Sequence, residues 1–209
     1  MEDKEKVDIS TRYFAEEEVR VDENPYIAYY KALSSVFDFS KIDSFCDVGC
    51  ATGLLQFNVK KNNPQIDVCG FEFFQYHKDA ANQQIKDTIN IVDLREPLNH
   101  NKKYSLVNCT EIGEHIDKNY CVQFLNNLKN ITDKFLVMSW SDSGGENDHA
   151  NDPHHQHLNP LKYDEFVAMM EQNGFVLVEG QTKNLLKATY IPNFHDWWRK
   201  SLTIWKVKK

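Results

Sequence analysis

Short apolar runs alternate with longer polar or amphipathic stretches along most of the chain. Phe45-Cys46-Asp47-Val48, Val68-Cys69-Gly70-Phe71, Ile89-Asn90-Ile91-Val92, Leu106-Val107-Asn108-Cys109 and Phe135-Leu136-Val137-Met138 have the near-continuous hydrophobicity of strands covered on both faces. The stretches between several of them are long enough for crossover helices. Residues 54–62, 75–85, 120–130 and 162–173 are the candidates, the last two with apolar side chains at three- and four-residue spacing. Ahead of the first strand, Tyr26, Ile27, Tyr30, Leu33 and Val36 follow a helix-opening Pro25 at helical spacing, which predicts an amphipathic helix over residues 25–37. At the other end, residues 174–179 and 202–207 read as two closing strands. The pattern predicts an α/β fold: a doubly wound, mostly parallel seven-stranded sheet with an antiparallel last strand.

Two segments break the pattern. Residues 1–24 are charged and lack apolar periodicity, so they are expected to form an N-terminal arm or mobile cover on a single domain of residues 25–209. Residues 141–160, SDSGGENDHANDPHHQHLNP, carry almost no apolar side chain. A loop of that length in a compact domain is either functional or disordered.

Composition narrows the partners. A formal charge of -7 repels polyanions, so nucleic acid is not an expected partner. Cys46, Cys50, Cys69, Cys109 and Cys121 are odd in number, lie mostly in apolar runs and contain no Cys-x-x-Cys pair, as expected of reduced thiols in a cytoplasmic protein. No apolar run approaches the roughly 20 residues that span a bilayer, and the acidic start MEDKEKVD does not read as a signal peptide.

The chemistry gathers at expected strand ends. In an open α/β sheet, ligands bind beyond the carboxyl ends of the strands, and the turn Gly49-Cys50-Ala51-Thr52-Gly53 follows the first strand. Glycines let backbone approach a ligand, and free amides at the next helix's N-terminus favour a carboxylate. The turn lacks the G-x-G-x-x-G pattern of dinucleotide sites, which argues against a nicotinamide-dependent oxidoreductase. Glu72, about 20 residues on at the end of the second strand, offers two oxygens to the hydroxyls of a ribose. Asp93, at the end of the third, could accept from an adenine amino group, beside the apolar Leu94.

In order along the chain, FCDVGCATG, GFE, IVDLREPL, YSLVNCTEIGEHI and FLVMSWS resemble the successive motifs of class I S-adenosylmethionine-dependent methyltransferases. The resemblance implies a Rossmann-like fold with S-adenosyl-L-methionine as cofactor. Asp47, Gly49 and Gly53 would hold the methionine part, Glu72 the ribose, and Asp93 with Leu94 the adenine; Cys50, Thr52, Phe73, Asn108 and Thr110 complete the expected cofactor-binding set. The turn departs from many relatives at Ala51, where they have a third glycine, and at the bulkier Cys50.

Past the fourth strand, Glu111, Glu114 and His115 stand at i, i+3 and i+4, which would put them on one face of a helical turn. His149, His154, His155 and His157 follow in the loop after the fifth strand. The combination is similar to that in small-RNA 2′-O-methyltransferases and the O-methyltransferases of ubiquinone synthesis, in which a Glu-x-x-Glu-His motif binds a metal. That similarity implies a divalent ion on Glu111, Glu114, His115 and His157; without a metal, the same catalytic residues Glu111, Glu114 and His115 would orient the substrate or act as a base. Tyr13, Phe14, Tyr26, Tyr29, Tyr30, Trp197 and Trp198 could wall an acceptor pocket or simply pack the core. The expected function is methyl transfer to a hydroxyl or amine of a small-molecule acceptor. Alternatives are a non-catalytic cofactor-binding regulatory module and a methyltransferase acting on RNA 2′-hydroxyls.

Overall fold

The computed structural model describes residues 22–143 and 157–208. Helix α1 (Asn24–Ser34) precedes β1 (Ser44–Val48), α2 (Leu54–Asn62), β2 (Asp67–Glu72), α3 (Gln75–Ala80), β3 (Ile89–Ile91) and β4 (Tyr104–Cys109). Then come α4 (Cys121–Ile131), β5 (Thr132–Met138), α5 (Tyr163–Gln172), β6 (Phe175–Leu177), α6 (Glu179–Ala188), α7 (Asp196–Arg199) and β7 (Thr203–Val207). The strands form one seven-stranded sheet in the order β3-β2-β1-β4-β5-β7-β6. Strands β1 to β5 pair in parallel, and β7 runs antiparallel to both β5 and β6. This is the expected architecture, including the antiparallel last strand.

The near-continuous apolar runs have a direct cause. Successive side chains along a strand face opposite sides of the sheet, and both sides are covered. Phe45, Val137 and Ile204 face a core shared with Ala28, Tyr29 and Leu33 of α1, Leu55 and Val59 of α2, Leu185 of α6 and Trp198 of α7. Cys46, Leu136, Met138 and Trp205 face a second core with Phe124, Leu125 and Leu128 of α4 and Phe166 and Met170 of α5. All five cysteines are free and buried in these layers.

Several expected bounds move. The helix expected over 75–85 stops at Ala80, because Ala81 takes an extended backbone and Lys86–Thr88 form a separate 3-10 turn. Helix α6 was not legible: it buries only Thr182 and Leu185, too few apolar positions to give a helical period. The expectations for residues 1–21 with Tyr13 and Phe14, for His149, His154 and His155, and for the Trp197 side chain lie outside the described residues and side chains. Among the described residues no helix is long and apolar enough to cross a membrane.

The sheet order reverses between β1 and β4, both neighbours in the sheet. That reversal opens a crevice beyond the strand carboxyl ends, where ligands of such folds bind.

Candidate functional site

At this crevice β1 ends in Asp47 and Val48, and the chain enters a turn with three left-handed residues: Gly49 (φ 71°), Ala51 (φ 47°) and Gly53 (φ 74°). At 49 and 53 the left-handed backbone favours glycine, and a side chain would press on a neighbouring isoleucine. A Cβ on Gly49 would lie 2.0 Å from Ile112 Cδ1, and one on Gly53 2.6 Å from Ile85 Cδ1. Ala51 carries a Cβ in the same left-handed region, at a cost of about 1–2 kcal/mol. Ala51→Gly should therefore raise stability by up to about 1 kcal/mol, because the relieved strain exceeds the added chain entropy of glycine. Thermal unfolding checks this, and a lower melting temperature would contradict it.

The turn points the Ala51 amide at the end of β2. Its N–H donates to Glu72 Oε2 at 2.8 Å, while the Phe74 N–H donates to Oε1 at 3.0 Å and His77 Nδ1 lies 3.2 Å from Oε1. The carboxylate is thus fixed in position, with acceptor capacity remaining on its two oxygens. The Gly49 and Cys50 amides both donate to the Phe71 carbonyl, so they brace the turn against β2. No side chain caps α2, which starts directly after Gly53.

On the other side of the turn a buried chain of hydrogen bonds leads to Asp47. The Tyr29 hydroxyl donates to Asn108 Oδ1 at 2.8 Å, and Asn108 Nδ2 donates to Asp47 Oδ1 at 2.8 Å and to Thr110 Oγ1 at 3.3 Å. Burial pushes the Asp47 carboxyl up to about 7; the Asn108 bond pulls it down and the Glu72 charge pushes it up. A buried carboxyl whose charged neighbour is another carboxylate suits a ligand that brings an ammonium group. Glu72 suits one that brings hydroxyls.

Along the rim, Asp93 is clasped by Arg95, with Nε 2.9 Å from Oδ1 and Nη2 2.7 Å from Oδ2. The Arg95 guanidinium lies 5.5 Å from the centre of the Phe73 ring and 5.9 Å from that of Tyr120. Arg95 and Tyr120 were not singled out from sequence, although an Asp-x-Arg pair beside an aromatic is a usable signal. Leu94 is buried in the second core and its carbonyl accepts from Asn127, Cys50 lies in the first core, and Thr52 is buried.

Beyond β4 the helical turn expected over residues 111–115 is shorter: a 3-10 turn, Gly113–His115. Glu111 stands before it in a left-handed conformation (φ 57°), which a helix does not accept. Its Oε1 accepts from the Ser139 hydroxyl at 2.7 Å, and its backbone N–H donates to Ser139 Oγ at 3.0 Å. Glu114 is fully buried; its carboxylate oxygens make no well-formed hydrogen bond among the described residues, and the polar groups acting on them are the Glu111 carboxyl and the backbone of Glu114 and Ser141. Burial, then the charge of Glu111, hold its carboxyl well above the usual range.

The segment after β5 returns to this point. The Asn159 N–H donates to the Glu114 carbonyl at 2.9 Å, and Trp140 Nε1 donates to the Asn159 carbonyl at 2.7 Å. His157 is thereby brought to His115, with ring centres 4.9 Å apart, edge to face. Glu114, His115 and His157 each offer a ligand atom, all within 4.8 Å of one another. His157 Nδ1 faces the Ser143 carbonyl, so Nε2 is the ring nitrogen placed to ligate, the usual arrangement of a ligating histidine. One buried carboxylate and two imidazoles so grouped are a donor set that fits a divalent ion. Glu111, the fourth expected ligand, is outside this group of three.

No protein-family model and no curated protein sequence matches the chain. Solved structures share its fold. An O-methyltransferase from a trans-AT PKS multienzyme of Brevibacillus brevis, in complex with S-adenosyl-L-homocysteine, is 14% identical over 87% of this chain and 72% of its own, with a TM-score of 0.59. The magnesium protoporphyrin IX methyltransferase of Synechocystis, with bound S-adenosyl-L-homocysteine, is 16% identical over 75% of this chain and 72% of its own, with a TM-score of 0.55. An O-methyltransferase from neocarzinostatin biosynthesis, in complex with S-adenosyl-L-homocysteine and 1,4-dihydroxy-2-naphthoic acid, is 14% identical, with a TM-score of 0.54. The match covers 71% of this chain and 48% of that enzyme, so the chain spans about half its length. The fold is the Rossmann-like one found in these methyltransferases.

Proposed function

We propose that this chain is an S-adenosyl-L-methionine-dependent methyltransferase acting on a hydroxyl or amine of a small molecule. The observation that carries the proposal is the pair of buried carboxylates around the left-handed turn: Asp47, suited to an ammonium, and Glu72, suited to ribose hydroxyls. The likeness in fold to enzymes solved with S-adenosyl-L-homocysteine supports it. A net charge of -7 favours a small acceptor over a polyanion.

In this reading Gly49 and Gly53 shape the turn that receives the methionine part. Asn108 and Thr110 order Asp47 beside it. Phe73, Asp93 and Arg95 form the rim where the base would rest. Methyl transfer is an in-line displacement, so the protein's main tasks are alignment and removal of the acceptor's proton. Glu111, Glu114 and His115 lie past the end of β4 with His157 beside them, and burial with the Glu111 charge makes the Glu114 carboxyl more basic than an ordinary carboxylate, as suits a group that takes up a proton. A divalent ion on Glu114, His115 and His157 would polarise an acceptor hydroxyl there. Methylation is then expected to fall on chelation and return with Mn²⁺, Co²⁺, Zn²⁺ or Mg²⁺; unchanged turnover in chelator would leave the same residues as a metal-free base.

Calorimetric titration with S-adenosyl-L-homocysteine tests the proposal, and absence of binding would overturn it. The pH dependence has a definite sign. Asp47, at about 7 in the free protein, carries its full charge only above that value, so affinity for the amino-bearing ligand should tighten as pH rises through about 7. Affinity that is flat between about pH 6 and pH 8 would contradict the role of Asp47.

A further inference from the structure

The buried chain from Tyr29 to Asp47 has a direction. Tyr29 belongs to α1, outside the sheet, yet its hydroxyl donates to Asn108 Oδ1 and so holds the amide with its NH₂ edge toward Asp47. An amide turned over would present its oxygen to the carboxyl instead, which favours the protonated form. The other bond of that NH₂ edge, from Asn108 Nδ2 to Thr110 Oγ1, is longer, at 3.3 Å.

Tyr29 is itself held from behind. Its ring packs against Phe194 at 5.5 Å, edge to face, and against Trp198 at 5.2 Å, and it is 1% exposed. Phe194 and Trp198 lie just ahead of β7, so the segment leading into the last strand packs on the Tyr29 ring of α1.

We infer that Tyr29 is a positioning residue: acting through Asn108, it sets the charge state that Asp47 offers to a ligand's ammonium group. The ligand part of this inference rests on the proposed methyl-donor site; the effect on Asp47 does not. The titratable groups around Asp47 and Tyr29 are Glu72 from β2, Cys46 beside Asp47 on β1, Cys50 in the turn, Cys109 at the end of β4 and Glu111 past it, which acts on Tyr29. Both carboxylic residues, Glu72 and Glu111, are the same in all the variants below.

The experiment follows the Asp47 carboxyl by carbon-detected NMR across pH in the intact chain. Tyr29→Phe removes one oxygen and keeps the ring. It should move the Asp47 midpoint upward by about one pH unit, a tenfold change in its proton equilibrium. Asn108→Leu should also move it upward. In the Asn108→Leu background Tyr29→Phe should then add nothing, because the relay is already broken. 3-Fluorotyrosine at position 29 keeps the packing and strengthens the donor, so it should move the midpoint down, even if Tyr29→Phe does not fold. S-adenosyl-L-homocysteine affinity, measured on the same samples, should shift its pH midpoint in step. An Asp47 midpoint unchanged in Tyr29→Phe or by the fluorotyrosine, or an equal Tyr29→Phe shift with and without Asn108, would overturn the inference. If no sample binds S-adenosyl-L-homocysteine, the methyl-donor reading fails while the carboxyl titration still decides the role of Tyr29.

Discussion

In chelator at about pH 8, Glu114→Met should melt higher than the unsubstituted chain, by about 1–3 kcal/mol of stability, the ordinary cost of a buried polar group left unsatisfied. Glu114 is 0% exposed, its oxygens make no well-formed hydrogen bond among the described residues, and the nearby Glu111 carboxyl opposes its charge. Methionine has similar volume and no such penalty. The sign of the pH dependence follows from the raised carboxyl. The folded state holds the Glu114 proton to higher pH than the unfolded chain does, so this group makes stability fall as pH rises from about 4 through its folded value. Glu114→Met should remove that slope, and the gap between the two proteins should widen toward alkaline pH. Adding Mn²⁺ or Zn²⁺ should reverse the order if Glu114, His115 and His157 bind it, because ligand binding stabilises only the protein that retains the site. A variant that melts lower in chelator would show that the carboxylate has a partner stronger than the geometry gives it.

Glu72→Ala should have the largest effect on ligand affinity. Two hydrogen bonds from ribose hydroxyls to a carboxylate contribute about 3–6 kcal/mol together, or roughly two to four orders of magnitude in Kd. Part of the loss would come from the turn, since Glu72 also accepts from the amides of Ala51 and Phe74. Glu72→Gln separates the two contributions. It retains one acceptor oxygen for the backbone but cannot take both hydroxyls, so it should preserve the melting temperature better than alanine while still losing most of the affinity. Isothermal titration with S-adenosyl-L-homocysteine, alongside thermal unfolding, measures both. Affinity within about threefold of the original in Glu72→Ala would remove Glu72 from the site.

The fold was legible because its strands are buried on both faces. Phe45, Cys46 and Val48 alternate between two cores, so hydrophobicity barely drops along β1, and the same holds for β4 and β5. The two buried carboxylates beside the left-handed turn were legible for a related reason: Asp47 and Glu72 are charged residues at the ends of runs that otherwise reject charge. What sequence could not supply was backbone hand and long-range pairing. Glu111 looks helical at three- and four-residue spacing from Glu114 and His115, yet it adopts a left-handed φ and turns onto Ser139, 28 residues away. No periodicity encodes such a bond. The union of Tyr29 with Asn108 joins positions 79 apart, and the clasp of Asp93 by Arg95 uses a carboxylate that spacing alone assigns to a ligand. His157 was singled out, but the element that delivers it, Asn159 on the Glu114 carbonyl, is a backbone contact invisible in residue types.

A crystal structure grown with S-adenosyl-L-homocysteine and Mn²⁺ tests the whole account at one stroke. The predicted result is the ligand's amino group beside Asp47, both ribose hydroxyls on Glu72, and an anomalous peak among Glu114, His115 and His157. Ligand density elsewhere, with Asp47 and Glu72 left as they stand around the turn, would contradict it.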